Sequence, residues 1–196
     1  MLQILPAKIS GFTPRQQSKI NDVIRRLNTF MELGFDDIEK MILDYNFTQT
    51  TETNGRILER FNSGAERGSR VDGIWQAQIS AYYKRWSSAV ARTFTNSQEI
   101  QMNMAKHSFT ERAIVTTLIH EYCHLVGMTH TRRMTNDRDD SCPYAIGVQI
   151  AEMYMLFYYG IVTPTTAVHN GEQPRKRLSF FARVKRFIIN LFKMLG

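Results

Sequence analysis

The sequence predicts an α+β fold, rich in helix, with a small antiparallel sheet or hairpin beside one central helix. Three observations predict it. Apolar residues recur at three- and four-residue spacing through most of the chain, a stretch near residue 100 alternates with period two, and residues 120–130 read HEYCHLVGMTH. With 196 residues, 43% of them hydrophobic, the chain suits one domain with a short appendage and can bury a real core.

The helical frame opens at Thr13-Pro14-Arg15-Gln16, an N-cap followed by a proline at the first helical position and a capping-box glutamine. The helix carries Ile20, Val23, Ile24, Leu27, Phe30 and Met31 on one face, and Gly34 closes it. Asp36 and Glu39 read as the cap of a second helix, with Ile38, Met41, Ile42 and Tyr45 inward. Residues 49–55 form a polar loop, a short helix follows over 56–62, and the glycine-rich GAERGSRVDG breaks the pattern. Asp72 is expected to cap a further helix through Trp86 that bears Trp75, Ile79, Tyr82 and Tyr83. Val90, Arg92 and Phe94 then alternate with Ala91 and Thr93. After a turn at Asn96-Ser97, Ile100, Met102 and Met104 alternate with Gln101, Asn103 and Ala105, which predicts a hairpin.

The next helix is framed by Ser108 and Glu111 as an S-x-x-E capping box and by Gly127 at its end, a length of about 18 residues. Ile114, Val115, Leu118, Ile119, Tyr122 and Val126 form its core-facing stripe, while Ala113 and Thr117 leave room on the face of His120 and His124. Residues four apart on a helix stand one above the other, so these two imidazoles can point at one ion. Glu121 lies about 100° round the helix, where its carboxylate can act as a base beside the metal instead of binding it. Gly127 permits a left-handed residue, and the resulting bend carries His130 toward the same ion as third ligand. Zinc suits three imidazoles with a fourth position left open. Glu152, within the apolar segment AIGVQIAEMYMLFYYG, needs a partner if buried. It is either an alternative third ligand or the partner of an arginine or of a ligand histidine.

HEYCHLVGMTH resembles the H-E-x-x-H-x-x-G-x-x-H signature of the metzincin clan of zinc metallopeptidases, and residues 89–119 resemble the edge strand and connector before the active-site helix of zincins. The resemblance implies a zincin-like domain over residues 1–172, with a helical N-terminal part at about 1–47. It implies Zn2+ held by His120, His124 and His130, and Glu121 as general base in the hydrolysis of a protein or peptide substrate. In the related gluzincin class a glutamate on a later helix completes the site, the role open to Glu152. The clan's Met-turn is not evident: Met134 follows His130 by only four residues, Met153 and Met155 fall in an apparent helix, and the turn-like SCPY at 141–144 has no methionine. Tyr144, just after that turn, is the candidate to stabilise the oxyanion. Residues 98–104, with Ile100, Met102 and Met104, take the role of the cleft-lining strand to whose edge an extended substrate adds. The alternatives are a zinc-binding structural or assembly protein, which has no use for the base Glu121, and a zinc hydrolase acting on a non-protein amide.

The net charge of +7 belongs to one end of the chain. Residues 173–196 hold seven basic side chains and no acidic one, which leaves 18 basic against 18 acidic residues in 1–172. Phe180, Phe181, Val184, Phe187, Ile188, Leu191, Phe192 and Leu195 follow helical spacing there. A basic amphipathic helix of this kind fits an anionic membrane surface, a protein partner or the body of the protein; nucleic acid fits less well with so many phenylalanines. Two cysteines make no disulfide framework. MLQILPAKIS lacks the basic start and unbroken apolar core of a signal peptide, and no run is long enough to cross a membrane, which suits a cytoplasmic or membrane-peripheral protein.

Overall fold

The computed structural model describes residues 1–64, 66, 71–94, 98–131 and 139–160. Residues 173–196, and with them the basic amphipathic helix expected there, lie outside the described residues, as does Met134. The described elements are β1 (Gln3–Ser10), α1 (Pro14–Leu33), α2 (Phe35–Asp44), α3 (Asn54–Ser63), β2 (Ile74–Tyr82), β3 (Ala91–Phe94), β4 (Glu99–Asn103), α4 (Glu111–Leu125) and α5 (Cys142–Tyr159). The fold is mixed α+β. Among the described residues its sheet has four strands in the order β1-β2-β4-β3.

The antiparallel hairpin expected near residue 100 is present as β3 and β4, but it belongs to a larger sheet that is mixed. β1 runs parallel to β2 and β2 parallel to β4; only the β3–β4 hairpin is antiparallel. Parallel neighbours need long crossovers, and α1, α2 and α3 fill the one between β1 and β2. The first residues therefore form a strand before the helical part begins. β1 is an edge strand that accommodates Pro6 at an irregularity between Pro6 and Lys8.

The expected helix from Asp72 to Trp86 is the strand β2. Trp75, Ala77 and Ile79 are buried on one face, and Gln76 lies exposed on the other, which is period two. Asp72 does cap something: its Oδ1 accepts from the Ile74 N–H at 2.9 Å, an Asx turn leading into the strand. Smaller corrections concern helix starts. Thr110, not Ser108, caps α4 by accepting from the Ala113 N–H at 3.2 Å. α2 starts at Gly34 without a side-chain cap, and Asp36 sits in its first turn. Thr13 and Gln16 form the predicted capping box of α1, and Gly34 ends it.

The core lies between one sheet face and the helices. Leu2, Ile4, Trp75, Ala77, Ile79, Ile100 and Met102 meet Ile20, Val23, Leu27, Ile114, Val115 and Leu118. Tyr122 is fully buried and donates from its hydroxyl to the Phe61 carbonyl at 2.9 Å, tying α4 to α3. α5 packs along α4, and Gly147 makes that approach close: a Cβ there would lie 3.0 Å from the Thr116 carbonyl oxygen and 3.3 Å from His120 Cβ. No helix among the described residues is long and apolar enough to cross a membrane.

Candidate metal centre

Helix α4 places His120 and His124 one turn apart, their ring centroids 4.9 Å from each other. The helix ends at Leu125 and the chain turns sharply: the Gly127 N–H donates to His124 O at 3.1 Å and the Met128 N–H to Cys123 O at 2.8 Å. Gly127 takes φ +90, the left-handed region that spares glycine the steric penalty. The bend brings the His130 ring to 4.8 Å from His124 and 5.3 Å from His120. One ligand atom from each histidine lies within 4.8 Å of the others. A small closing of the rings reaches the spacing of about 3.3 Å that a tetrahedral ion with bonds of about 2.0–2.1 Å requires. The residues fit a metal ion, and this cluster can hold one.

Two of the imidazoles are oriented from behind. His124 Nδ1 lies 2.9 Å from the Met128 carbonyl oxygen and His130 Nδ1 lies 2.9 Å from the Thr131 carbonyl oxygen. A carbonyl only accepts, so Nδ1 carries the proton in each ring and Nε2 keeps a lone pair for a metal. Burial pushes the His124 pKa down, which favours the neutral form that ligation needs. The ligand turn is itself held. Gln49 Oε1 accepts from the Thr131 N–H at 2.9 Å, and Arg60 Nη1 donates to the Val126 carbonyl at 3.1 Å. Arg60 also pairs with Glu52 at 2.6 Å.

Glu121 is outside the ligand cluster and almost buried, at 6% exposure. Thr93, on β3, donates its hydroxyl to the Glu121 carboxylate. Burial pushes the carboxyl up to about 7, and the Thr93 hydrogen bond works in the opposite direction. Tyr144 packs its ring 4.3 Å from His120 and 4.7 Å from His130. The segment 141–144 is not a turn but the start of α5, with Pro143 in its first turn. Tyr144 thus reaches the histidines from the first turn of a helix.

No family model, curated protein or solved structure matches this chain. The centre stands on its own residues.

Glu152 does not join it. At 1% exposure its carboxylate accepts from Arg112 Nε at 2.8 Å, so the arginine pairing holds and the alternative third ligand is corrected. The assignment of 98–104 to the cleft edge is corrected as well. β4 lies between β2 and β3, Ile100 and Met102 are fully buried, and Met104 packs partly against the core. The edge strand on that side is β3, and it touches α4 through Thr93. Cys123 and Cys142 are free and buried. Burial drives the Cys123 thiol well up and Cys142 to about 11, so neither is a ready thiolate ligand.

Thr93, Gly147, Arg60 and Gln49 escape a motif-based reading of the site. Only Gly147 carried a signal, since a glycine inside a helix usually marks close packing. The other three act through contacts 28 to 82 residues apart in sequence.

Proposed function

We propose that this chain is a zinc-dependent endopeptidase with a metzincin-like centre on a zincin-like fold. The observation that carries the reading is the convergence of three imidazoles beside a buried carboxyl that is not part of their cluster. A purely structural site closes all four positions with protein ligands and has no use for such a carboxyl.

His120, His124 and His130 would hold the zinc, with His124 and His130 presenting Nε2. Zinc in such a site supplies Lewis acidity toward a carbonyl and lowers the pKa of water to about 7. Glu121 takes the proton from the attacking water and returns it to the leaving nitrogen. Its Thr93 hydrogen bond fixes one carboxylate oxygen while the group cycles between its two protonation states. Tyr144 is the donor proposed for the developing oxyanion, because its ring already rests on two of the ligands. An extended peptide fits the outer edge of β3, where main-chain hydrogen bonds hold substrate with little dependence on its sequence.

Two variants test this, each assayed for bound zinc and for cleavage of an unfolded protein. Glu121→Gln is expected to keep zinc and lose cleavage by at least about a hundredfold, and His130→Ala to lose most of both. Full cleavage by Glu121→Gln, or undiminished zinc in His130→Ala, overturns the proposal.

A further inference from the structure

Away from the metal centre, the loop joining β2 to β3 presents an unusual surface. Trp86 is 97% exposed and Tyr83 73%, and Lys84 and Arg85 between them are exposed as well. Val90, at 45%, extends the apolar part. Tyr83, Trp86 and Val90 are large apolar side chains exposed together on one short loop, and exposed apolar groups gathered in this way mark a contact surface.

The loop is built to present that tip. Asn103, fully buried at the end of β4, clasps its two ends together. Its Oδ1 accepts from the Lys84 N–H at 3.0 Å, and its Nδ2 donates to the Lys84 and Ala89 carbonyls at 2.9 and 3.0 Å. Its own N–H donates to the Val90 carbonyl at 2.8 Å. Within the loop the Ser87 N–H donates to Lys84 O at 3.3 Å and the Ala89 N–H to Ser87 Oγ at 3.2 Å. A buried amide with this many partners fixes a shape, and the shape it fixes leaves an indole in water.

Charge selects the occupant. Residues 73–98 contain Lys84, Arg85 and Arg92 and no acidic residue, although residues 1–172 as a whole balance 18 basic against 18 acidic side chains. Arg92 is engaged by Gln101, Tyr82 and Phe94, so Lys84 and Arg85 are the cations at the tip. Lys106, exposed in the turn after β4, stands at the same end of the sheet, because β2 and β4 run parallel. Tryptophan and tyrosine flanking lysine and arginine is the chemistry of a lipid–water interface, where rings enter the headgroup layer and cations meet phosphate. Single-stranded nucleic acid stacks instead on aromatics ranged along a groove. An indole that protrudes this far suits a deformable layer better than a rigid partner, which would need a matching pocket.

We propose that the 83–90 loop is an interfacial anchor that seats Trp86 and Tyr83 in the headgroup layer of an anionic bilayer, with Lys84, Arg85 and Lys106 on lipid phosphates. The full chain tests it, with vesicles of phosphatidylcholine alone and of phosphatidylcholine with phosphatidylserine. The chain has two tryptophans, and Trp75 is fully buried, so a change in emission reports Trp86. Phosphatidylserine vesicles should sediment the protein and shift its emission to shorter wavelength. Trp86→Ala should weaken sedimentation about tenfold, and Lys84→Glu with Arg85→Glu should weaken it at least as much. The unchanged emission of Trp75 in Trp86→Ala reports an intact fold. Sedimentation without an emission shift, or equal sedimentation of Trp86→Ala, overturns the proposal and moves attachment elsewhere in the chain. An emission shift with a single-stranded oligonucleotide but not with vesicles overturns it in favour of nucleic acid.

Discussion

A methyl group added at Gly127 would lie 2.9 Å from Arg60 Nη1, and the alanine backbone would have to keep φ +90. The guanidinium can swing away, but in doing so it gives up the Val126 carbonyl that it holds at 3.1 Å. The backbone strain remains in either case. Gly127→Ala should therefore cost about 1–2 kcal/mol of stability, read as a lower urea midpoint. Because the same turn delivers His130, zinc affinity should fall about tenfold, the scale seen when support behind a ligand is disturbed. Unchanged affinity would mean that His130 reaches the ion without this turn. His124 and His130 illustrate the same point from the other side of the ring: a backbone carbonyl 2.9 Å from each Nδ1 sets which nitrogen can ligate.

At the level of elements, the centre depends on α4 and α5 keeping their register. Gly147 lets them approach, and Arg112 of α4 pairs with Glu152 of α5. Glu152 is 1% exposed, so replacing Arg112 by Met withdraws its cation from a carboxylate that has little water to turn to. We expect a loss of about 3 kcal/mol in chemical unfolding, with most of it recovered in Arg112→Met/Glu152→Gln. No recovery in the double variant would place the cost in lost packing instead of charge. The elements also show what the sequence made legible. The ligand spacing, the glycine bend, the Thr13 cap and the β3–β4 alternation all depend on residues close together in the chain, and each is present. β2 reads as a helix in the sequence because Trp75, Ile79, Tyr82 and Tyr83 fit a helical spacing by chance, while Ala77 is too small to advertise the alternation. Placing β4 inside the sheet depends on parallel pairing with β2, for which no local pattern exists. Thr93 on Glu121 and Arg60 on Val126 are likewise products of the tertiary fold.

For the whole molecule, the buried carboxyl of Glu121 couples folding to pH and to the metal. Its pKa rises from a usual value of 4.5 to about 7 in the folded chain. Between those values the native state holds a proton that the unfolded state has released, so stability from this group is full below about 4.5 and is lost as pH rises through about 7. The loss corresponds to about 3 kcal/mol at pH 8. Buried His107 and His124, whose pKa values are lowered, act in the opposite sense: their contribution is present above the usual histidine value and fades as pH falls. Comparing Glu121→Gln with the parent at each pH cancels the histidines. In metal-free protein the variant should be the more stable by about 3 kcal/mol at pH 8, with the gap closing toward pH 4. A divalent ion beside the carboxylate favours its charged form, so zinc should shrink the gap at pH 8. Urea unfolding at several pH values, with and without zinc, reads both effects. A gap independent of pH would show that Glu121 titrates alike in the folded and unfolded chains. A gap that zinc leaves unchanged would separate the carboxyl from the proposed zinc site at the three histidines.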